Sequence, residues 1–310
     1  MSALSLVFSG AAAIFEDPLT ILYFLIGVFG GIVFGAIPGL TGALGVSLML
    51  PFTFAMSPTQ GITVLIGIYV GGVSGGLIAS IMLNIPGNAA AIVTCFDGSP
   101  MARNGHPYRA LSYGATASLI GGLFSGVVMI FVATKLARFG LMFGAWEYFA
   151  LGIMGLAVVI SLCSDDMIKG LISAIIGMML AMIGMDKLSS LERFTFGWWR
   201  LSGGFGEMTV LMGLFALGEI LSQLKNLGKP MKQVGSDERK TVLPRKGAFK
   251  GLKKTLCVSS VIGTLIGVLP GVGQSTAALV AYNQAKNSSK EPEKFGTGCA
   301  EGIVAPESAN

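Results

Sequence analysis

The sequence predicts an all-α polytopic membrane protein whose helices are interrupted by Pro-Gly pairs. Three observations predict it. Of the 310 residues, 53% are hydrophobic and 12% are charged, about half the roughly 25% charge of soluble domains. The apolar residues fall in runs near the ~20 residues needed to cross a bilayer. Two of those runs are broken at the same spacing, Gly31-x3-Gly35-x2-Pro38-Gly39 and Gly263-x3-Gly267-x2-Pro270-Gly271. Glycine, at 45 residues, is abundant as in membrane helices, and the polar alternation of a glycine-rich β-protein is missing.

The elements follow in order. Segment 1–20 has no basic stretch, and Glu16 and Asp17 precede the first long apolar run, so no cleavable signal peptide is read there. The first span is expected over 21–37. It ends where Pro38 lacks an amide donor and Gly39 tolerates positive φ. A second span is expected over 40–56 and a third over 60–83. The third carries Gly61, Gly67, Gly71, Gly72, Gly75 and Gly76, and Gly-x3-Gly spacing lets helix backbones approach closely.

Residues 84–110 read as a connector with a further break, Asn84-Ile-Pro86-Gly87-Asn88, although Pro-Gly-Asn is also a common surface turn. Further spans are expected over 111–133, 146–162, 167–185 and 207–224. Helix packing suffices to explain Gly121, Gly122, Gly126 and Gly177. The eighth segment starts at Thr255 and breaks at Pro270, too short for a full span. Residues 286–301 are polar and read as a loop. The layout is an N-terminal segment (1–20), a first transmembrane repeat (21–224), a basic loop (225–254) and the start of a second repeat (255–310), which is left incomplete as in a C-terminally truncated protein.

Charge sets the orientation. The stretch 225–254 holds Lys225, Lys229, Lys232, Arg239, Lys240, Arg245, Lys246, Lys250, Lys253 and Lys254 against Asp237 and Glu238. The whole chain is only +5, so everything else is net negative. Beside membrane spans such a loop is read as cytoplasmic by the positive-inside rule, with no nucleic acid required. If all seven preceding segments cross, an odd number separates the two breaks and they enter from opposite faces, the arithmetic of an inverted repeat. Lys135 and Arg138 then fall on the outer side, against the rule.

The chemistry of enzymes is missing. The four cysteines are scattered without a CxxC pair, and His106 is the single histidine, so neither a zinc site nor a disulfide is read. There is no Ser-His-Asp set and no HExxH. Pro270-Gly-Val-Gly-Gln-Ser-Thr departs from a Walker A loop, with Gln274 at the lysine position and Val268 at the first glycine. No cofactor is implied, and transport would be driven by an ion gradient or by a separate subunit.

Two Gly/Pro-broken apolar segments in corresponding positions point to the binding site of an inverted-repeat secondary transporter. Gly35, Pro38, Gly39 and Gly42 form the first break, and Gly267, Pro270, Gly271 and Gly273 the second. Beyond each break a helix N-terminus would present amides and its positive dipole end to a carboxylate. Thr41, Asn88, Gln274, Ser275 and Thr276 would add hydroxyl and amide groups, with Asn84, Pro86 and Gly87 at the third break. Carbonyls freed before the breaks could hold a cation. Apart from Lys169 at the start of 167–185, the apolar runs contain no lysine or arginine, which fits an anion site built from backbone dipoles. Each dipole is worth about 0.3–1 kcal/mol when exposed and up to about 2 when partly buried, so two or more ends and a co-bound cation are needed. Glu219, near the end of 207–224, could snorkel. The other class that fits is a channel or a non-transporting scaffold whose helices are merely kinked.

At these motifs the sequence resembles the large membrane subunit (TctA) of the tripartite tricarboxylate transporter family. The residues that carry the resemblance are Gly35-Ala-Ile-Pro-Gly-Leu-Thr-Gly42, Asn84-Ile-Pro-Gly-Asn88, Gly267-Val-Leu-Pro-Gly-Val-Gly-Gln274, Phe295-Gly-Thr-Gly298 and Glu301-Gly-Ile-Val-Ala-Pro-Glu-Ser-Ala-Asn310. It runs from about residue 18 onward and adds Glu307, Ser308 and Asn310 to the expected substrate- and ion-binding set. The resemblance implies a bacterial inner-membrane secondary carrier embedded in the lipid bilayer. Its expected partners are a small four-span membrane subunit (TctB-like) and a periplasmic solute-binding protein (TctC-like) that delivers citrate or a related carboxylate. Na+ or H+ is the coupling ion expected by analogy.

Overall fold

Glycine spacing sets the first layer of the fold. A computed structural model describes residues 3–38, 40–140, 142, 144–162, 167–186, 190–206, 247–269 and 273–310, with isolated positions among 209–244. After α1 (Ala3–Phe15) come α2 (Pro18–Ala36), α3 (Gly42–Thr53) and α4 (Pro58–Leu83). Asp17 caps α2, its carboxylate accepting from the Leu19 amide at 3.0 Å and the Thr20 hydroxyl at 2.7 Å. Gln60 Nε2 donates to the same carboxylate at 2.8 Å, so α2 and α4 start level. Ser57 and Gln60 form a capping box at the head of α4.

From there the two helices run parallel. A Cβ on Gly27 would sit 2.6 Å from the Val64 carbonyl oxygen, and one on Gly31 or Gly35 would overlap the carbonyls of Ile68 or Gly72. The reverse holds for Gly67, Gly71 and Gly75 against the carbonyls of Phe24, Val28 and Ile32. Only glycine at every fourth position allows this approach, in which Cα–H groups face carbonyls across the seam.

Because α2 and α4 are parallel, the chain between them must return. Gly42 lies against Gly72, Gly45 against Ile68 and Gly61 against Thr53, so α3 runs antiparallel to α4. Its 12 residues reach about 18 Å, short of a ~30 Å hydrocarbon core. The expected span over 40–56 is corrected to a shorter helix with non-helical flanks that nevertheless carries the chain back.

The connector 84–110 is also corrected. It contains a 3-10 turn (Ala89–Ala91) and a helix, α5 (Ile92–Arg103), buried over Val93, Thr94, Cys95, Asp97, Gly98 and Ser99. Then come α6 (Pro107–Gly140) and α7 (Ala145–Leu162). On α6, Leu119, Leu123, Val127 and Phe131 form an exposed apolar stripe, and Ala110, Tyr113 and Ala117 face inward. The segment expected over 167–185 stops earlier, as α8 (Met167–Ala181), and gives way to a two-residue hairpin of β1 (Gly184–Met185) and β2 (Glu192–Arg193). The expected span 207–224 lies largely outside the described residues, and so does most of the basic loop.

The last elements are α9 (Lys253–Gly267), α10 (Gly273–Ser288) and α11 (Glu301–Ala309). Short α11 is buried from Gly302 to Ala309 and is packed by α5, α6, α9 and α10. Leu77, Ile81, Tyr113, Leu256, Ile303 and Val304 form the main apolar core around it. Among the described residues three helices are long and apolar enough to cross a membrane: Pro18–Ala36, Pro58–Leu83 and Pro107–Val132.

Candidate functional site

The first break ends α2 in a turn, with the Leu40 amide donating to the Ile37 carbonyl at 3.0 Å around half-buried Pro38. Gly39 lies outside the described residues. Gly35 and Gly42, on either side of this turn, both pack on Gly72 of α4, eleven residues before its end at Leu83. The break therefore lies about 16 Å short of the end of α4 and not at its rim. Thr41 caps α3, its Oγ1 accepting from the Leu44 amide at 3.1 Å, so the cap uses its oxygen and leaves the hydroxyl hydrogen.

The third break folds back onto the first. Asn84 ends α4 with φ 57°, and the next residues return toward the middle of the helix. Pro86 is fully buried. A Cβ on Gly87 would lie 2.5 Å from the Gly35 carbonyl oxygen and 2.6 Å from the Gly76 Cα. Only glycine fits where three backbones converge. Asn88 caps the 3-10 turn, its Oδ1 accepting from the Ala91 amide at 2.9 Å, with its Nδ2 beside Gly76.

At the second break Pro270 and Gly271 lie outside the described residues. Gly267 ends α9 facing open space, and Gly273 opens α10 with φ 71°. Gln274, Ser275 and Thr276 form the first turn of α10. Gln274 Oε1 accepts from the Tyr69 hydroxyl at 3.4 Å. Tyr69 belongs to the turn of α4 that also packs on Gly42, so one side chain links the first-break helix to the second-break helix. Sequence reasoning passed over Tyr69, because an aromatic residue in an apolar run carries no distinguishing signal.

The carboxylates divide into two kinds. Asp97, passed over in the sequence, is fully buried. Its Oδ1 accepts from the amides of Gly296 at 3.0 Å, Gly298 at 2.9 Å and Cys299 at 2.8 Å, and its Oδ2 from the Tyr282 hydroxyl at 3.0 Å. Gly296 and Gly298 have φ of 86° and 104°, the conformation that turns successive amides onto one anion. The tail expected as a loop is thus a wrapped turn, preceded by α10 as far as Ser288.

Among the described residues, the carboxylate of Glu307, 3% exposed, hydrogen-bonds to hydroxyls. Thr94 Oγ1 lies 2.6 Å from its Oε1 and Ser118 Oγ 2.8 Å from its Oε2. Ser308 donates to the Ala305 carbonyl at 3.2 Å, and its own carbonyl packs on Gly121. Asn310 Oδ1 is buried and has no hydrogen-bond partner among the described residues.

The structure therefore brings Gly35, Pro38, Thr41, Gly42, Pro86, Gly87 and Asn88 together on α4 and links Gln274 to them through Tyr69. Glu307 and Ser308 meet Thr94, Ser118 and Gly121, on the α5–α6 side of α11. A separate cleft lined by Lys254, Gln284, Ser288, Lys290, Lys294 and Glu301 lies at the far end of α10 from Gln274 and includes none of the expected site residues.

The family model described as "Tripartite tricarboxylate transporter TctA family" matches residues 21–310. A protein of Agrobacterium vitis, described as an uncharacterized 52.8 kDa protein in the TAR-I ttuC' 3' region, is 36% identical over 310 residues. That alignment takes in 100% of this chain, which spans 61% of the relative's length. No solved structure matches.

Proposed function

This chain belongs to the tripartite tricarboxylate transporter TctA family, and from that premise we propose that it is part of the large membrane subunit of a binding-protein-dependent, ion-gradient-driven carrier for citrate or related carboxylates. The subunit works in a bacterial inner membrane with the basic loop 225–254 in the cytoplasm. A small four-span membrane subunit accompanies it, and a periplasmic solute-binding protein delivers the substrate. The substrate site is formed by the broken segments around Pro38-Gly39, Pro86-Gly87 and Pro270-Gly271.

The observation that carries this reading is the convergence of Gly35, Gly87 and, through Tyr69, Gln274 beside the middle of α4, a helix long and apolar enough to cross a membrane. Irregular backbone is tolerated at membrane depth only where it is buried in protein or lines a cavity. The cap hydrogen bonds of Thr41 and Asn88 use side-chain oxygens and leave donors for a carboxylate. Dipole ends at α3 and α10 supply the rest.

The inverted-repeat architecture, with repeats over 21–224 and from 255 onward, belongs to the same proposal. In its support, Gly31 and Gly263 occupy matching motif positions, and each is pressed against the backbone of a later helix, α4 and α11 respectively.

The test is uptake of labelled citrate and other carboxylates by proteoliposomes holding the complete complex. Uptake is expected to require the binding protein and a sodium or proton gradient. Uptake unaffected by dissipating both gradients would refute the coupled carrier, and conductance without the binding protein would indicate a channel.

A further inference from the structure

The two buried carboxylates differ in what surrounds them, and the difference assigns them different chemistry. Asp97 takes three backbone amides on Oδ1, which donate and never accept, beside the Tyr282 hydroxyl on Oδ2. Three fixed donors favour the ionised state. Glu307 is ringed by hydroxyls, which do both. Ser118 Oγ has a second acceptor at hand, the Glu307 carbonyl oxygen at 3.2 Å.

We infer that the Glu307 carboxylate is a proton-binding site at mid-membrane depth, reversibly protonated during transport, with Thr94 and Ser118 as the partners that serve both of its states. The inference rests on the gradient-driven carrier reading above and narrows the coupling ion to the proton.

The exchange balances without moving a heavy atom. In the ionised state Thr94 donates to Oε1 and Ser118 to Oε2. When a proton from water binds at Oε2, the new O–H donates to Ser118 Oγ, and Ser118 turns its own hydrogen to the Glu307 carbonyl. Thr94 continues to donate to Oε1. Both carboxyl oxygens and both hydroxyls keep a hydrogen bond in either state, so protonation strands none of them. Three amides like those on Asp97 Oδ1 would oppose a proton arriving at that oxygen with fixed N–H groups.

Position supports the assignment. Ser118 and Gly121 lie at the middle of the apolar stretch Pro107–Val132, and the Ser308 carbonyl rests on Gly121. Ionisable residues at this depth are costly and serve ion and proton pathways. Among the described side chains, the titratable groups other than lysine and arginine on the elements around it are Cys95 and Asp97 on α5, Tyr108 and Tyr113 on α6, Cys257 on α9 and Tyr282 on α10, with Glu301 on its own helix. None of these is a cation. Arg103, Arg109, Lys253, Lys254 and Lys286 sit in the terminal turns of their helices, and the hydrogen bonds of the Glu307 side chain go to Thr94 and Ser118.

The direct test is infrared difference spectroscopy of the purified full-length subunit, titrated with acid in the presence and absence of sodium. The expected result is a protonated-carboxyl band that grows on acidification, is indifferent to sodium, and is lost in Glu307→Gln but retained in Asp97→Asn. A wild-type spectrum lacking any band that Glu307→Gln removes would overturn the proposal, as would a band suppressed by sodium in competition. The transport arm uses the complete complex in proteoliposomes with citrate as probe. An acid-outside gradient is expected to drive accumulation by wild type and none by Glu307→Gln. Wild-type accumulation by Glu307→Gln would overturn the proton site. Accumulation by wild type under sodium alone would do the same while leaving the carrier reading intact. If wild type moves no citrate under any gradient, the carrier reading is what fails, and the infrared titration decides the proton site by itself.

Discussion

Asp97 shows how one side chain organises a segment that looks unstructured in sequence. Its carboxylate collects three amides and a phenol, and it leaves no room at the neighbouring helix start, where a Cβ on Gly302 would overlap Oδ2. Gly302→Ala is therefore expected to destabilise the full-length protein by about 1–3 kcal/mol through overpacking. Asp97→Asn turns an amide group into a ring of donors and should cost about 1–3 kcal/mol for each donor it strands. Thermal unfolding in detergent reads both. The polar residue at the head of α2 makes a milder claim. Hydrogen bonds from Gln60, then Thr20 and the Leu19 amide, hold the Asp17 carboxyl below the usual carboxylate range. A depressed folded value means stability that is fully present above the unfolded value of roughly 3.9 and lost as pH falls through the folded value. The difference in melting temperature between wild type and Gln60→Ala should be widest above about pH 4 and close below it. Neither Asp97 nor Tyr69 was legible in the sequence, because each acts through partners roughly 200 residues away in the chain, Gly296 and Gln274.

At the scale of elements, the glycine stripes were legible because their meaning is periodic. Gly67, Gly71 and Gly75 announce a close-packed face, and the structure supplies the matching Gly27, Gly31 and Gly35. Neighbouring positions separate the two roles of glycine. Gly31→Ala puts a methyl group into the Ile68 carbonyl, whereas Gly30→Ala on the next position meets nothing within 4 Å. The first should cost about 1–3 kcal/mol and the second stay within about 0.5 kcal/mol, measured as thermal stability of the purified subunit. Packing was expected to account for Gly121, Gly122, Gly126 and Gly177, yet only Gly121 meets a neighbour within 4 Å among the described residues, and that neighbour is the Ser308 backbone. Two elements were misread for physical reasons. Apolar content marks 40–56 as a span, but the flanks of α3 are held out of the helix by the turn around Pro38 and the capping box at Ser57. In the other direction, α5 carries Asp97, Ser99 and Pro100 and reads as a connector. Burial by neighbouring helices overrides its weak intrinsic preference.

At the scale of the whole molecule, the first break and the helices on either side of it carry the account. The repeated Gly-x3-Gly-x2-Pro-Gly spacing marks it together with a second position, whose Pro270 and Gly271 lie outside the described residues. It could not show that the third break, Pro86-Gly87, folds back to touch Gly35, since a return of that kind depends on where α4 ends. Nor could it show that short α11 is enclosed along nearly its whole length, because its burial is supplied by α5, α6, α9 and α10 together. The central claim is that the first break is part of the substrate site and not a kink that helps the helices pack. The most direct measurement is citrate uptake by the complete complex carrying Pro38→Ala with Gly39→Ala, alongside membrane insertion of the same variant. The account predicts that uptake is abolished while insertion and assembly with the partner subunits are unchanged. Uptake at the wild-type rate would contradict it and reduce the break to a structural bend.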